Sequence, residues 1–268
     1  MLTLTNLMRK KDVNYKVIYI TGDTHADFTR LNEENFPVQK QMTKEDFVII
    51  CGDFGGVWSF EEESKREKQI LDWLNSRNFT TLFVDGNHEN YTRLYNYPVE
   101  EWNGGKVHKV RESVLHLMRG EVFNISGKKF FTFGGASSHD IQDGILNLAE
   151  EEKIYESRKR GAYFRIRDYS WWDLELPTNE EKKNGIKNLE KVNYEVDYII
   201  SHCAATSVQT LVNPEYKRDA LTDYLQQILE KCTFSKWYFG HYHENRQIGS
   251  NFVLLYENVV PLENEIVF

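Results

Sequence analysis

Eight side chains combine imidazole, carboxylate and amide donors in short polar clusters: Asp23 and His25 in "GDTH", Asp53 in "GDFGG", Asn87 and His88 in "DGNHEN", His202 in "SHCAA", and His241 and His243 in "GHYH". Imidazole with carboxylate, without thiolate, suits borderline or harder divalent ions such as Mn, Fe, Zn or Ni. Eight such groups exceed what one tetrahedral ion uses. Two ions about 3.5–4 Å apart that share a carboxylate would employ them, and would clamp the attacking and leaving oxygens of an in-line displacement at phosphorus. Asp53 is the natural shared carboxylate, because its loop falls between the others in chain order. Each cluster alone has a plainer reading. Gly-Asp after a strand commonly makes a turn, and His-x-His on an extended segment is two imidazoles pointing the same way. His108, His116 and His139 occur without such a context. The metal reading rests on the joint occurrence.

The clusters share a position relative to the elements that must carry them. Apolar, β-branched or aromatic runs predict buried strands at Val17 to Thr21, Phe47 to Cys51, Thr81 to Val84, Lys129 to Phe133, Tyr198 to Ser201 and Trp237 to Phe239. Continuous apolar runs suit strands covered on both faces. Five of these strands run directly into Asp, Asn or His, with glycines at 22, 52, 86 and 240 beside the polar groups. In an α/β sheet the carboxyl ends of strands form a common rim where ligands bind, so residues distant in sequence converge there. Helical patterns lie between: Phe60 to Asn75 aligns Ile70, Leu71 and Leu74, and Tyr216 to Lys231 aligns Ala220, Tyr224, Leu225 and Ile228. The tail from Arg246 alternates well enough for one or two closing antiparallel strands.

Composition bounds the rest. A chain of 268 residues with net charge −8, from 33 Lys plus Arg against 41 Asp plus Glu, is no general trap for nucleic acid. It has room for one large domain, expected over 1–268, with the longer, more charged stretch 137–192 as an inserted helical cap region. No run approaches the roughly 18 apolar residues of a membrane span. The start of the chain has no apolar segment followed by a small-residue cleavage site, so a cytoplasmic location is expected. Cys51, Cys203 and Cys232 are too few and too widely spaced for a disulfide framework or a thiolate zinc site. Local positive charge gathers at Arg158, Lys159, Arg160, Arg165 and Arg167. This cluster is either a solvated helix face or a substrate-facing one, with Arg158, Arg160, Arg165 and Arg167 as candidate substrate contacts.

The series "GDTH", "GDF", "GNHE", "SH" and "GHYH", from Gly22 to His243, resembles the signature of the calcineurin-like metallophosphoesterase superfamily. The resemblance implies an α/β four-layer sandwich of two mixed β-sheets flanked by helices, with two metal ions at the strand ends. It implies one ion held by Asp23, His25, Asp53 and His243, and a second sharing Asp53 and taking Asn87, His202 and His241. His88 would then stand beside the leaving group without ligating. Two departures set the chain apart from Ser/Thr protein phosphatases: "GDFGGVW" lacks a second Asp, and no Arg precedes the Gly of "DGNHEN". Ala26 stands where many members have Gly. "FFTFGGASSHD" and "SWWDLELP" resemble a bacterial and phage-type branch of uncharacterised members.

The chemistry expected is hydrolysis of a phosphomonoester or phosphodiester by a hydroxide bridging two divalent ions. Mn is foremost, with Fe, Zn, Ni or Mg as alternatives. His88 would face the departing oxygen, with Asp23 assisting it as well as ligating. A second reading uses the same centre as a nuclease or nucleotide phosphodiesterase. There the basic cluster and Tyr163, Phe164, Tyr169, Trp171 and Trp172 would hold nucleic acid, although the tryptophans equally suit the apolar foot of the insert. A third reading, a non-catalytic scaffold, sits poorly with a complete ligand set.

Overall fold

The computed structural model describes residues 16–262; the first fifteen residues and the final six of the tail, including part of the expected closing strands, lie outside it. The predicted strands appear within one residue of their expected bounds: β1 (Ile18–Thr21), β2 (Phe47–Ile50), β3 (Thr80–Phe83), β8 (Lys128–Phe133), β11 (Tyr198–Ser201) and β12 (Lys236–Phe239). Around them lie β4 (Val99–Trp102), β5 (Gly105–Arg111), β6 (Val114–Leu117), β7 (Glu121–Ile125), β13 (Arg246–Ile248), β14 (Phe252–Leu254) and β15 (Val260–Pro261). They form a seven-stranded sheet in the order β15-β1-β2-β3-β6-β5-β4 and a six-stranded sheet in the order β13-β14-β12-β11-β8-β7. Each has a parallel centre, β1-β2-β3-β6 in the first and β8-β11-β12-β14 in the second, with antiparallel edges. The tail thus supplies β13 antiparallel to β14 and β15 antiparallel to β1, but β14 itself lies parallel to β12.

Period-two alternation explains why these strands read as continuously apolar. Phe47 and Ile49 of β2 face the second sheet, where Phe130, Ile200 and Tyr238 meet them. Val48 and Ile50 face the other way, against Leu71 and Leu74 of helix α1 (Lys65–Asn75). On the far side, Phe131, Ile199, Trp237 and Phe239 pack under α4 (Asn179–Lys191), α5 (Thr206–Val212) and α6 (Ala220–Lys231) through Leu189, Val208, Leu221 and Leu225. Helix, sheet, sheet and helix make the four expected layers. A single-turn helix, α2 (Tyr91–Leu94), follows β3. No helix among the described residues is long and apolar enough to cross a membrane.

Caps set the helix starts. Ser64 accepts from the backbone of Glu67 while the Glu67 carboxylate returns to Ser64 N, so α1 begins at Lys65 and not at Phe60. Asp219 accepts from Leu221 N and Thr222 N and starts α6 at Ala220, four residues after the expected Tyr216. Residues 137–192 hold more than helices: a two-residue parallel pair, β9 (Ile145–Leu146) with β10 (Arg165–Ile166), helix α3 (Glu151–Lys159), a 3-10 turn Asp173–Glu175, and α4. The segment leaves from the end of β8 and returns as α4, whose Asn188 donates to Gly120 O at 2.8 Å beside β7.

Candidate metal centre

The carboxyl ends of β1, β2 and β3 in one sheet and of β11 and β12 in the other meet at a single place. His25 N donates to Asp53 O at 2.8 Å and Ala26 N to Phe54 O at 3.0 Å, fastening the first loop to the second. His241 N donates to the Asp23 carboxylate at 2.9 and 3.1 Å, and His202 Nδ1 lies 2.8 Å from Cys51 O, so the two sheets also clasp each other. Backbone strain concentrates here: His25, Ala26, Asp53, His241 and His243 all have left-handed φ, between 43° and 71°. Non-glycine residues pay for this conformation and keep it where surrounding structure enforces it. Close approach also fixes two glycines. A methyl group on Gly86 would overlap the Asp53 carboxylate, and one on Gly240 that of Asp23.

Asp23, His25, Asp53 and His243 each offer one donor atom, and these four atoms lie within 4.8 Å of one another. His243 Nε2 is 3.2 Å from Asp23 Oδ2 and 3.1 Å from His25 Nε2, which is 3.7 Å from Asp53 Oδ2. The other face of Asp53 belongs to a second group. His202 Nε2 stands 3.3 Å from Asp53 Oδ1 and 3.2 Å from Asn87 Oδ1, and the His202 and His241 rings are 5.0 Å apart. Asp53 therefore adjoins both sets of donors. The His-x-His pair reaches them differently from the strand alternation expected: β12 ends at Phe239, and left-handed turns at His241 and His243 send the imidazoles apart, His241 toward His202 and His243 toward Asp23.

Charge is arranged to suit cations. Asp23 and Asp53 are both buried. Burial works against charge on Asp53, but His202, His88 and His25 outweigh it and hold the carboxyl far below the usual range. Burial likewise opposes charge on His202, yet Asp53 beside it lifts its pKa to about 9, so a cation held at Nε2 would displace a proton from the ring. Burial, reinforced by His202 and His139, keeps His241 well below the ordinary imidazole value, as a neutral donor. With Cys51 O engaging His202 Nδ1, Nε2 is directed to Asp53 and Asn87. Asn87 is oriented in turn by Ser138, whose Oγ accepts from Nδ2 at 3.3 Å. Two buried carboxylates ringed by imidazole nitrogens and an amide oxygen are an N/O donor set fitted to divalent ions.

His88 is half-buried, its ring centroid 5.2 Å from that of His25. Its backbone N–H donates to Asp53 Oδ1 at 2.8 Å. Burial holds its imidazole below the ordinary value against the pull of Asp53 and Asp140. Asp23 is engaged by His241 N and His243 instead. Of the candidate substrate arginines, Arg165 pairs with Asp140 and acts electrostatically on His88. Arg167 pairs with Asp173 and lies over the Trp171 ring, Arg160 is 3.8 Å from Asp143, and Arg158 is exposed on α3. Trp172 is buried at 2% exposure and donates to Thr92 Oγ1 at 2.9 Å, which makes it a foot for the insert. Tyr163 is exposed, and Tyr169 packs on Phe60.

One residue set aside by sequence reasoning belongs at the centre. His139 Nε2 is 2.8 Å from His241 Nε2, and its ring stacks on Tyr216. With Asp140, Tyr216 and Tyr242 it walls a cavity of about 290 Å³ over Asp53, Asn87, His88, His241 and His243. The signal was present in the sequence: β8 also runs into glycines and then "SSHD", as the other site strands run into their polar clusters. His108 and His116 stay outside this centre, as a stacked buried pair with His116 Nε2 3.0 Å from Asp85.

A model of the calcineurin-like phosphoesterase family matches residues 16–245. No curated protein matches the chain.

Proposed function

The chain belongs to the calcineurin-like phosphoesterase family, and from that premise we propose that it hydrolyses a phosphomonoester or phosphodiester at a centre of two divalent ions. Asp23, His25, Asp53 and His243 would hold one ion; Asp53, Asn87, His202 and His241 would hold the other. The observation that carries this is the position of Asp53, with Oδ2 toward His25 and Oδ1 toward His202. When bound, such ions would bring the pKa of a coordinated water toward about 7 and neutralise phosphoryl oxygens; the mixed imidazole and carboxylate donors suit Mn, Fe, Zn or Ni, with Mg as a further alternative.

The protein's own groups do the rest. His202, His88 and His25 keep Asp53 ionised against its burial, and the buried Asp23 carboxylate is engaged by His241 N and His243 Nε2. The Asn87 amide supplies an oxygen donor without further negative charge, which leaves net positive charge for the substrate. His88 stands at the edge of the donor set, where a ring N–H stabilises charge on the departing oxygen. Its depressed pKa suits a neutral imidazole donating a hydrogen bond. We place the reaction in the cytoplasm, a reading supported by three free cysteines. The pairing of Arg160, Arg165 and Arg167 with carboxylates argues against the insert as a nucleic-acid groove.

The test is hydrolysis of bis-p-nitrophenyl and p-nitrophenyl phosphate by protein purified with Mn, together with elemental analysis. About two ions per chain and turnover are expected, with activity abolished in Asp53→Asn. Full activity in that variant rules out the shared-carboxylate centre, and a metal-free, inactive protein after metal-replete expression favours a scaffold.

A further inference from the structure

His88, with His25, lines a second cavity of about 380 Å³, whose walls include neither Asn87 nor His241. This volume lies in the range of small-molecule sites. Its walls come from the "GDFGGVW" loop and the start of α1: Trp58 and Ile70 give apolar surface, while Ser59, Ser64 and Arg66 bring polar groups. The Trp58 indole is half-buried, with its centroid 6.3 Å from the His88 ring and 5.8 Å from that of the buried Trp172, which supports it from behind. Arg66 is exposed and has no ion-pair partner among the described residues, in contrast to Arg93, which pairs with Glu67 at 2.7 Å. Gly55 and Gly56 line the same wall, where a side chain would collide with the His25–Ala26 backbone or with the Phe54 ring.

Because His88 borders both this cavity and the one over the donor set, a phosphoryl group at the centre with its departing oxygen at His88 directs the organic part of the ester toward Trp58. We propose, resting on the phosphoesterase reading, that this cavity receives the leaving group and that the leaving group carries a planar heteroaromatic ring stacked on Trp58. The substrate class is a nucleotide. The ring supplies a flat apolar face for the indole. Its nitrogens and carbonyls match the free guanidinium of Arg66 and the hydroxyls of Ser59 and Ser64, groups that a plain phenyl ring would leave unmatched. The cavity is the size of one nucleoside, and the paired arginines of the insert continue no basic track from it, which favours a single nucleotide over an oligonucleotide.

Adenosine 5′-monophosphate and ribose 5-phosphate release the same kind of alkoxide and differ only in the base, so their comparison isolates the ring. With Mn-loaded protein, kcat/KM for adenosine monophosphate should exceed that for ribose 5-phosphate by about ten-fold or more, the equivalent of one stacked base. Trp58→Ala should collapse that ratio toward one, and Trp58→Phe, which keeps a ring, should retain most of it. A ratio near one in the native protein, or a ratio that survives Trp58→Ala in a folded variant, overturns the proposal, as does a preference confined to oligonucleotides. Adenosine binding, followed by ligand-observed NMR, needs no hydrolysis and should weaken in Trp58→Ala. Turnover of p-nitrophenyl phosphate without adenosine binding removes the nucleotide cavity alone. Adenosine binding through Trp58 without turnover of any ester removes the phosphoesterase reading alone.

Discussion

Asn87 is reached from the inserted segment through two residues: Ser138 Oγ accepts from its amide, and Ser138 N lies 3.3 Å from Glu175 Oε2. Glu175 is 2% exposed, and its Oε1 has no hydrogen-bond partner among the described residues. Burial lifts its pKa to about 8 against the pull of Ser138 and Arg165, so the folded protein holds it as a neutral acid at pH 7. Below about pH 4.3 the carboxyl is protonated folded and unfolded, and its full contribution is present. As pH rises the unfolded chain ionises first, so stability falls until the folded group also ionises near pH 8. Glu175→Gln removes this slope. Urea unfolding of both proteins in chelator should show the variant gaining on the native protein between pH 5 and pH 8, by on the order of a few kcal/mol. Parallel pH profiles would show that Glu175 ionises freely in the fold.

At the level of elements, Arg119 ties β3, the β6–β7 connection and the insert into one knot. Its guanidinium pairs with Asp85 at the end of β3, with Nε 2.8 Å from Oδ2, and also donates to Tyr91 Oη at 2.8 Å and Leu174 O at 2.7 Å. Both charges are fully enclosed. Burial opposes charge on Asp85, and Arg119 with His116 outweighs it. Arg119→Met would strand the Asp85 carboxylate and should cost about 3–5 kcal/mol, while adding Asp85→Asn should recover part of that. A loss below about 1 kcal/mol in urea unfolding, the size of a surface pair, would contradict this account. The knot was invisible in the sequence, as were β4, β9, β10 and α2, for related reasons. β4 reads "VEEW" and is mostly exposed, β9 and β10 have two residues each, and α2 is a single turn, so none repeats an apolar period long enough to register. β1, β2, β3, β11 and β12 were legible because both their faces are covered. Their polar ends were legible for the opposite reason, since each breaks an apolar run abruptly. His139 escaped because three small residues separate it from the glycines after β8, which hides the same pattern.

Across the whole molecule, the donor set draws on both sheets: Asp23, His25, Asp53 and Asn87 from the first, His202, His241 and His243 from the second. The sheets share the apolar layer between β2 and β11, but at their carboxyl ends that layer gives way to buried charge, with Asp23 and Asp53 facing imidazoles across the seam. Cations bound there would hold the two sheets together where the core does not. Binding to the folded state alone adds stability by mass action, about 2.7 kcal/mol at one hundred times Kd. For a chain of this size each kcal/mol moves Tm by about 2–4 °C, so Mn should raise the melting temperature by roughly 5–10 °C over chelated protein. Asp53→Asn should lose most of that increment, because it weakens both donor groups at once, whereas His243→Ala should lose only the share of the Asp23 group. Amide exchange at Gly52 and Gly240, beside the strand ends, should slow on adding Mn, and core amides in the middle of β2 that exchange by global unfolding should slow in step with the added stability. A melting temperature indifferent to chelator and Mn would mean that the two sheets meet at this seam by protein contacts alone.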